Sequence, residues 1–141
     1  MSGEYALLLR RRALSMLRLA ERLIDEAEYD LAVLNAEYAT QLYVKSFLLR
    51  LTGEEWRGHS IRALLGLLAY MLEEKEFRTQ AEKVMDFIRL NRRLLVELED
   101  AHTRAVYGVL QYSRDQAQAL LNASRKVIEL IEDLEKEILG G

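Results

Sequence analysis

From Glu4 to about Glu26, apolar residues recur at spacings of three and four: Ala13, Met16, Leu17, Ala20, Leu23, Ile24 and Ala27. That period places them on one stripe of a helix, and Arg11, Arg18, Arg22 and Asp25 fall off it onto a solvated face. A second helix is predicted from Tyr29-Asp30, where Asp30 is the candidate cap, to Leu51. Its apolar face runs through Leu31, Leu34, Tyr38, Leu42 and Leu49, and Ala32, Ala36 and Ala39 form an adjoining strip that permits close helix approach. Thr52-Gly53 supplies a left-handed stop, and Gly53 to Gly58 make the first clear loop. The third helix runs from His59 or Ser60 to Glu73, with Ile61, Leu64, Leu65, Leu68 and Leu72 facing inward. Leu67 and Met71 make it apolar almost all round, which predicts burial or an interface with exposed apolar area around this helix.

Glu73-Glu74-Lys75-Glu76 reads as a charged turn. The fourth helix then carries Val84, Phe87, Ile88, Asn91, Leu94, Leu95, Leu98, Ala101, His102 and Ala105 on one face and ends at Gly108. Two polar groups on an apolar stripe need hydrogen-bond partners, which a second subunit, the neighbouring helices or water could each supply to Asn91 and His102. Ser113-Arg114-Asp115-Gln116 has the form of a capping box and starts a fifth helix through Ala117, Leu120, Leu121, Ser124, Val127, Ile128, Ile131, Leu134 and Ile138, closed by Gly140-Gly141. Short connections force neighbouring helices antiparallel, so the pattern predicts an all-α, up-and-down bundle of about five helices.

Composition sharpens this picture. The 141 residues include no proline and only seven glycines, so there is little loop to punctuate, and the length suits a single domain spanning residues 1–141. The absence of cysteine removes disulfides, thiolate metal sites and cysteine nucleophiles. A formal charge of -3 argues against a dedicated duplex-DNA or anionic-membrane binder while leaving room for local basic patches. The longest apolar run, Leu64 to Leu72, is too short to span a membrane, and Arg10, Arg11 and Arg12 stand where a signal peptide would be apolar. The expectation is a soluble, cytoplasmic chain.

Candidate chemistry is confined to few residues. His59 and His102 are the only histidines. Glu99 and His102 have the Glu-x-x-His spacing of carboxylate-bridged metal bundles, but such sites need a second pair that the chain lacks, so no metal and no cofactor are expected. No phosphate-binding glycine loop ends in Gly-Lys-Ser/Thr, and Ser46, Ser60, Ser113 and Ser124 lie in helices or caps rather than in a nucleophile elbow. Trp56-Arg57-Gly58-His59 concentrates an indole, a guanidinium and an imidazole in one loop, suited either to stacking on a base beside a phosphate or to covering the end of the bundle. Arg89, Arg92, Arg93 and Arg104 cluster on the fourth helix, giving it a basic character of its own.

The second helix, Tyr29-Asp30-Leu31-Ala32 through Ala36, Ala39, Gln41-Leu42 and Lys45-Ser46-Phe47-Leu48, followed by Leu51-Thr52-Gly53 and Gly58-His59-Ser60-Ile61-Arg62-Ala63-Leu64-Leu65, resembles the HEPN (higher eukaryotes and prokaryotes nucleotide-binding) family. So do Leu98-Glu99-Asp100-Ala101-His102-Thr103-Arg104-Ala105-Val106-Tyr107, Tyr112-Ser113 and the alanine-rich last helix. The likeness spans roughly residues 10 to 138 and rests on the order and spacing of these blocks. It implies a small helical bundle that forms a homodimer, is often encoded beside a minimal nucleotidyltransferase, and in many members serves toxin-antitoxin or RNA-processing systems.

Active members resembling this chain are metal-independent ribonucleases with Arg and His separated by four to six residues. Here Arg93 precedes His102, and Arg50 precedes His59, with eight residues between, so that signature is missing. Members without it usually write Ala-Tyr-Thr-x-Ala-Arg-Tyr, where this chain has Ala101-His102-Thr103-Arg104-Ala105-Val106-Tyr107. His102 replaces the tyrosine and Val106 the arginine, leaving Arg104 as the guanidinium closest to that position. The resulting expectation is a noncatalytic, homodimeric module that binds a minimal nucleotidyltransferase and, in its groove, a nucleotide or RNA. The expected ligand-binding residues are Arg89, Arg92, Arg93, His102, Arg104, Tyr107, Trp56, Arg57 and His59. Two alternatives stand beside it: a divergent metal-independent ribonuclease using Arg93, His102 and Arg104, and a plain RNA- or nucleotide-binding bundle using Arg10, Arg11, Arg12, Trp56 and Arg57.

Overall fold

The computed structural model describes residues 2–109 and 111–140. Among them the chain forms six α-helices: α1 (Ser2–Asp25), α2 (Tyr29–Thr52), α3 (Ile61–Glu74), α4 (Arg78–Leu90), α5 (Arg92–Tyr107) and α6 (Arg114–Leu139). The architecture is the expected all-α bundle with one more helix. The extra count comes from Asn91, where the long fourth helix of the sequence pattern breaks into α4 and α5. The Asn91 side-chain amide donates to the Phe87 carbonyl at 3.0 Å, and its backbone departs from helical values at φ -115° and ψ 17°. An asparagine side chain that competes for a backbone carbonyl in this way offers the chain an alternative to the next helical turn.

α2 is the central helix. It packs most extensively on α1 and also on α6, α5 and α3, while α4 lies on α3. The buried side of α2 is the alanine strip, with Ala32, Val33, Ala36, Ala39, Tyr43, Val44, Phe47 and Leu48 inside. This corrects the facing expected from its leucines: Leu31 is 44% and Tyr38 43% exposed. Small residues allow α1 and α6 to approach closely, and the large apolar residues at Leu31 and Tyr38 are left outside. α3 buries Ile61, Leu64, Leu65, Leu68, Ala69 and Leu72, and its other flank, Leu67 and Met71, is partly covered. Burial, rather than an exposed apolar surface around this helix, is the outcome there, with Tyr70 the exception at 60% exposure.

Several terminal signals act as their chemistry dictates. Gly53 ends α2 at φ 76°, a conformation that a side chain disfavours. Ser113 and Gln116 form both bonds of the capping box on α6. Gly140 closes α6 at φ 72°, and Gly141 lies outside the described residues. Asp30 does not cap α2; residue Glu28 occupies that place without a side-chain bond, and the Asp30 carboxylate accepts the Tyr112 backbone N–H at 2.8 Å, tying the start of α2 to the chain entering α6. Among the described residues no helix is long and apolar enough to cross a membrane.

Candidate functional site

The central position of α2 has a cost: polar side chains on its inner faces lose their water. Glu37 is fully buried, as is Thr40, and Gln41 is nearly so. Each therefore needs partners inside the bundle. Thr40 is satisfied by the Ala36 carbonyl and by Ser124 of α6. Glu37 is satisfied by the chemistry that sequence patterning singled out. Its Oε1 lies 3.0 Å from Nδ1 of His102 on α5, and its Oε2 accepts from the side-chain amide of Gln41 one turn along α2. The amide oxygen of Gln41 lies 3.3 Å from Nδ1 of His59, just ahead of α3. The two imidazole rings stack with centroids 6.0 Å apart and planes 15° from parallel, and Tyr38 leans on His102 with centroids 6.4 Å apart.

The only two histidines of the chain thus meet over a buried carboxylate. Burial pushes the Glu37 carboxyl above its ordinary value, and the hydrogen bonds from Gln41 and His102 and the charges of the two histidines oppose that rise. Lys45, two turns beyond Glu37 on α2, has its ammonium pushed down by burial and is held partly up by Glu37 and Glu55.

Two clefts flank the pair. One, of about 300 Å³, is lined by Tyr5, Leu9, Leu42, Lys45, Glu55, Trp56, Arg57 and His59. The other, of about 350 Å³, is lined by Leu34, Asn35, Tyr38, His102, Thr103, Val106 and Tyr107. Trp56 packs against the core from the loop before α3, with its indole N–H buried and unpartnered among the described residues, so it covers the bundle end while walling a cleft.

The expected ligand-binding residues fall into separate places. Trp56, Arg57 and His59 share one cleft, and His102 and Tyr107 share the other. Arg89, Arg92 and Arg93 line a shallow open groove at the α4–α5 break beside Leu90, with Arg89 paired to Asp86 at 2.7 Å and Arg93 to Glu97 at 3.5 Å. Arg104 lies over the Tyr112 ring at 5.7 Å, in a third cleft with Asp115 and Gln116. Arg93, His102 and Arg104 therefore do not converge within one chain. Arg93 precedes His102 by nine residues, about two and a half helical turns, which sets it on the opposite face of α5.

Two further placements differ from the sequence pattern. Arg10 turns partly inward, its Nε donating to Tyr43 at 2.9 Å, which commits this guanidinium to the junction of α1, α2 and α6 while Arg11 and Arg12 stay exposed. Glu99 does not pair with His102; its carboxylate accepts from Ser60 and Arg62 at the start of α3. Glu37 and Gln41 were missed. The available signal was their i,i+4 spacing beside the alanine strip of α2, where a carboxylate on a close-packed side needs a partner.

A family model described as HEPN domain matches residues 6–134, which covers α2 to α5 in full, most of α1 and α6, and both histidines. A comparison with curated proteins and one with solved structures each find no match. The order of blocks along the chain, the α-helical bundle they build and the extent of that match agree, and the chain belongs to the HEPN domain family.

Proposed function

We propose that the chain is a noncatalytic binding module that forms a homodimer and, in that form, holds a protein partner of the minimal nucleotidyltransferase class, with a nucleotide or RNA in the adjoining cleft. The observation that carries this reading is an apolar ridge left uncovered where α2 meets the end of α5. Tyr38 of α2, 43% exposed, lines one cleft with Val106 at 52% exposure and Tyr107 at 81% from the end of α5. Aromatic and aliphatic groups gathered in one place, rather than scattered singly, mark interaction surfaces on small domains. The partner class comes from family membership, since proteins of this kind are often encoded beside minimal nucleotidyltransferases.

Light scattering on the purified chain at micromolar concentration is expected to give twice the chain mass. The double substitution Val106→Ser with Tyr107→Ser is expected to give the single-chain mass with unchanged helicity, because substitutions at such exposed positions cost within about 0.5 kcal/mol of stability. A single-chain mass for the wild type sinks the reading. Affinity capture from the protein's own cells then tests the partner, and recovery of a nucleotidyltransferase at fixed ratio is the supporting result.

A second reading is favoured by the Glu37–His102–His59 cluster: a metal-independent ribonuclease in which the two histidines, rather than Arg93, His102 and Arg104 of one chain, exchange protons with the substrate. Two imidazoles within reach of one phosphodiester are suited to removing a proton from an attacking hydroxyl and delivering one to the leaving oxygen. This predicts cleavage of single-stranded RNA in the presence of a chelator, lowered about 100-fold or more in both His59→Ala and His102→Ala. An equally active His102→Ala protein rules it out.

A further inference from the structure

The hydrogen-bond chain through Glu37 has a direction. When Glu37 is ionised its carboxylate only accepts, and the His102 nitrogen that faces Oε1 then carries a proton. The second oxygen takes the Gln41 N–H, which turns the Gln41 amide so that its oxygen faces His59. An amide oxygen also only accepts, so the His59 nitrogen facing it is protonated as well. Both nitrogens are Nδ1. Free neutral imidazole in histidine favours the proton on Nε2, and a fixed acceptor at Nδ1 reverses that preference.

We propose that Glu37, with Gln41 as its extension, is a positioning residue that locks both histidines in the Nδ1–H tautomer and leaves the two Nε2 atoms of the stacked rings unprotonated as a proton-accepting pair. Among the described residues neither Nε2 has a protein partner, and each ring lines its own cleft. The carboxylate reaches one ring directly and the other through one amide, so a single buried group sets both. A ligand that offers hydroxyl or amino donors to the two nitrogens is the chemical class that this pair recognises. Its use in proton transfer rests on the ribonuclease reading above, in which the ring that serves the leaving oxygen first takes up a proton at Nε2; the tautomer lock does not.

The test is a long-range proton–nitrogen correlation spectrum of the 15N-labelled full chain at about pH 8. Both rings are expected to show a protonated Nδ1 and a bare Nε2. Glu37→Leu removes the acceptor, and is expected to move both rings to mainly Nε2–H. Gln41→Leu is expected to move His59 alone. Either ring found as Nε2–H in the wild type overturns the proposal, as does a folded Glu37→Leu protein with both rings unchanged. Should Glu37→Leu fail to fold, the wild-type spectrum and Gln41→Leu still decide it. Cleavage assays on the same samples separate the two readings. A locked pair without RNA cleavage removes the ribonuclease reading alone, whereas cleavage undiminished in a Glu37→Leu protein that has lost the lock removes the positioning role.

Discussion

Glu135→Ala is expected to lower the free energy of unfolding by about 3 kcal/mol, read as a fall in urea midpoint with an unchanged slope. The cause lies where α1, α2 and α6 meet. Glu135 on α6 is 4% exposed and serves three groups. Its Oε1 accepts from the Tyr43 hydroxyl at 2.9 Å, its Oε2 accepts from Arg50 at 2.9 Å, and the Arg10 Nε lies 3.7 Å away while donating to Tyr43. Removing the carboxylate leaves a guanidinium and a phenol facing each other without the charge that reconciles them. Because Arg10 and Arg50 retain partial access to water, the loss falls at the lower end of the range for broken buried pairs.

Tyr43→Phe, which removes one neutral donor and leaves the ion pairs, is expected to cost about 1 kcal/mol. It also changes the alkaline limb of the stability profile. Burial and the adjacent Glu135 hold the phenol well above its ordinary value. A group whose folded value is raised contributes stability that is present below its unfolded titration, near pH 10, and is lost as pH rises through the folded value. The wild type is therefore expected to lose stability above about pH 10 more steeply than Tyr43→Phe. A Glu135→Ala loss under about 1 kcal/mol would show that water replaces the carboxylate and that this junction is not buried in solution.

How much of this was legible beforehand differs between elements. The stripe of α6, its capping box and the Gly53 stop follow from local chemistry alone, and all three are formed as the sequence pattern requires. The break at Asn91 was hidden because Phe87, Ile88, Asn91, Leu94, Leu95 and Leu98 keep helical spacing straight through it. Only the competition of the asparagine amide for the Phe87 carbonyl reveals it. The facing of α2 was misjudged for a different reason. An amphipathic stripe identifies one buried side, whereas a central helix is surrounded, and close packing then favours its alanines over its leucines.

The candidate site shows the same limit. The histidines were conspicuous by number, yet spacing along one helix joined His102 to Glu99. In the fold each partner goes elsewhere, because a carboxylate as buried as Glu37 must take a donor from a neighbouring helix and the first turn of α3 needs an acceptor.

That acceptor carries the second large effect. Glu99→Ala is expected to destabilise the chain by about 2 kcal/mol and to loosen the loop from 53 to 60 at the same time. The Glu99 carboxylate accepts from the Ser60 hydroxyl at 2.9 Å, the Arg62 backbone N–H at 2.6 Å and the Arg62 guanidinium at 3.1 Å. A carboxylate against the first turn of a helix satisfies donors that have no intrahelical partner and meets the positive end of the helix dipole. Ser60 caps the same turn by accepting from Ala63 at 3.2 Å, so α3 is held to α5 by two linked groups. Ser60→Ala is expected to cost about 1 kcal/mol, and the double variant less than the sum of both, because the two side chains share one bond.

The functional consequence is geometric. His59 sits immediately before Ser60, so freeing the start of α3 from α5 separates His59 from His102 while Glu37 still holds the latter. Amide exchange over residues 60 to 64 should quicken and the magnetisation transfer between the two imidazoles should fade, with His102 keeping its Nδ1 proton. Unchanged exchange in a Glu99→Ala protein would mean that Trp56, packed on the core from the same loop, holds His59 in place without help from α5.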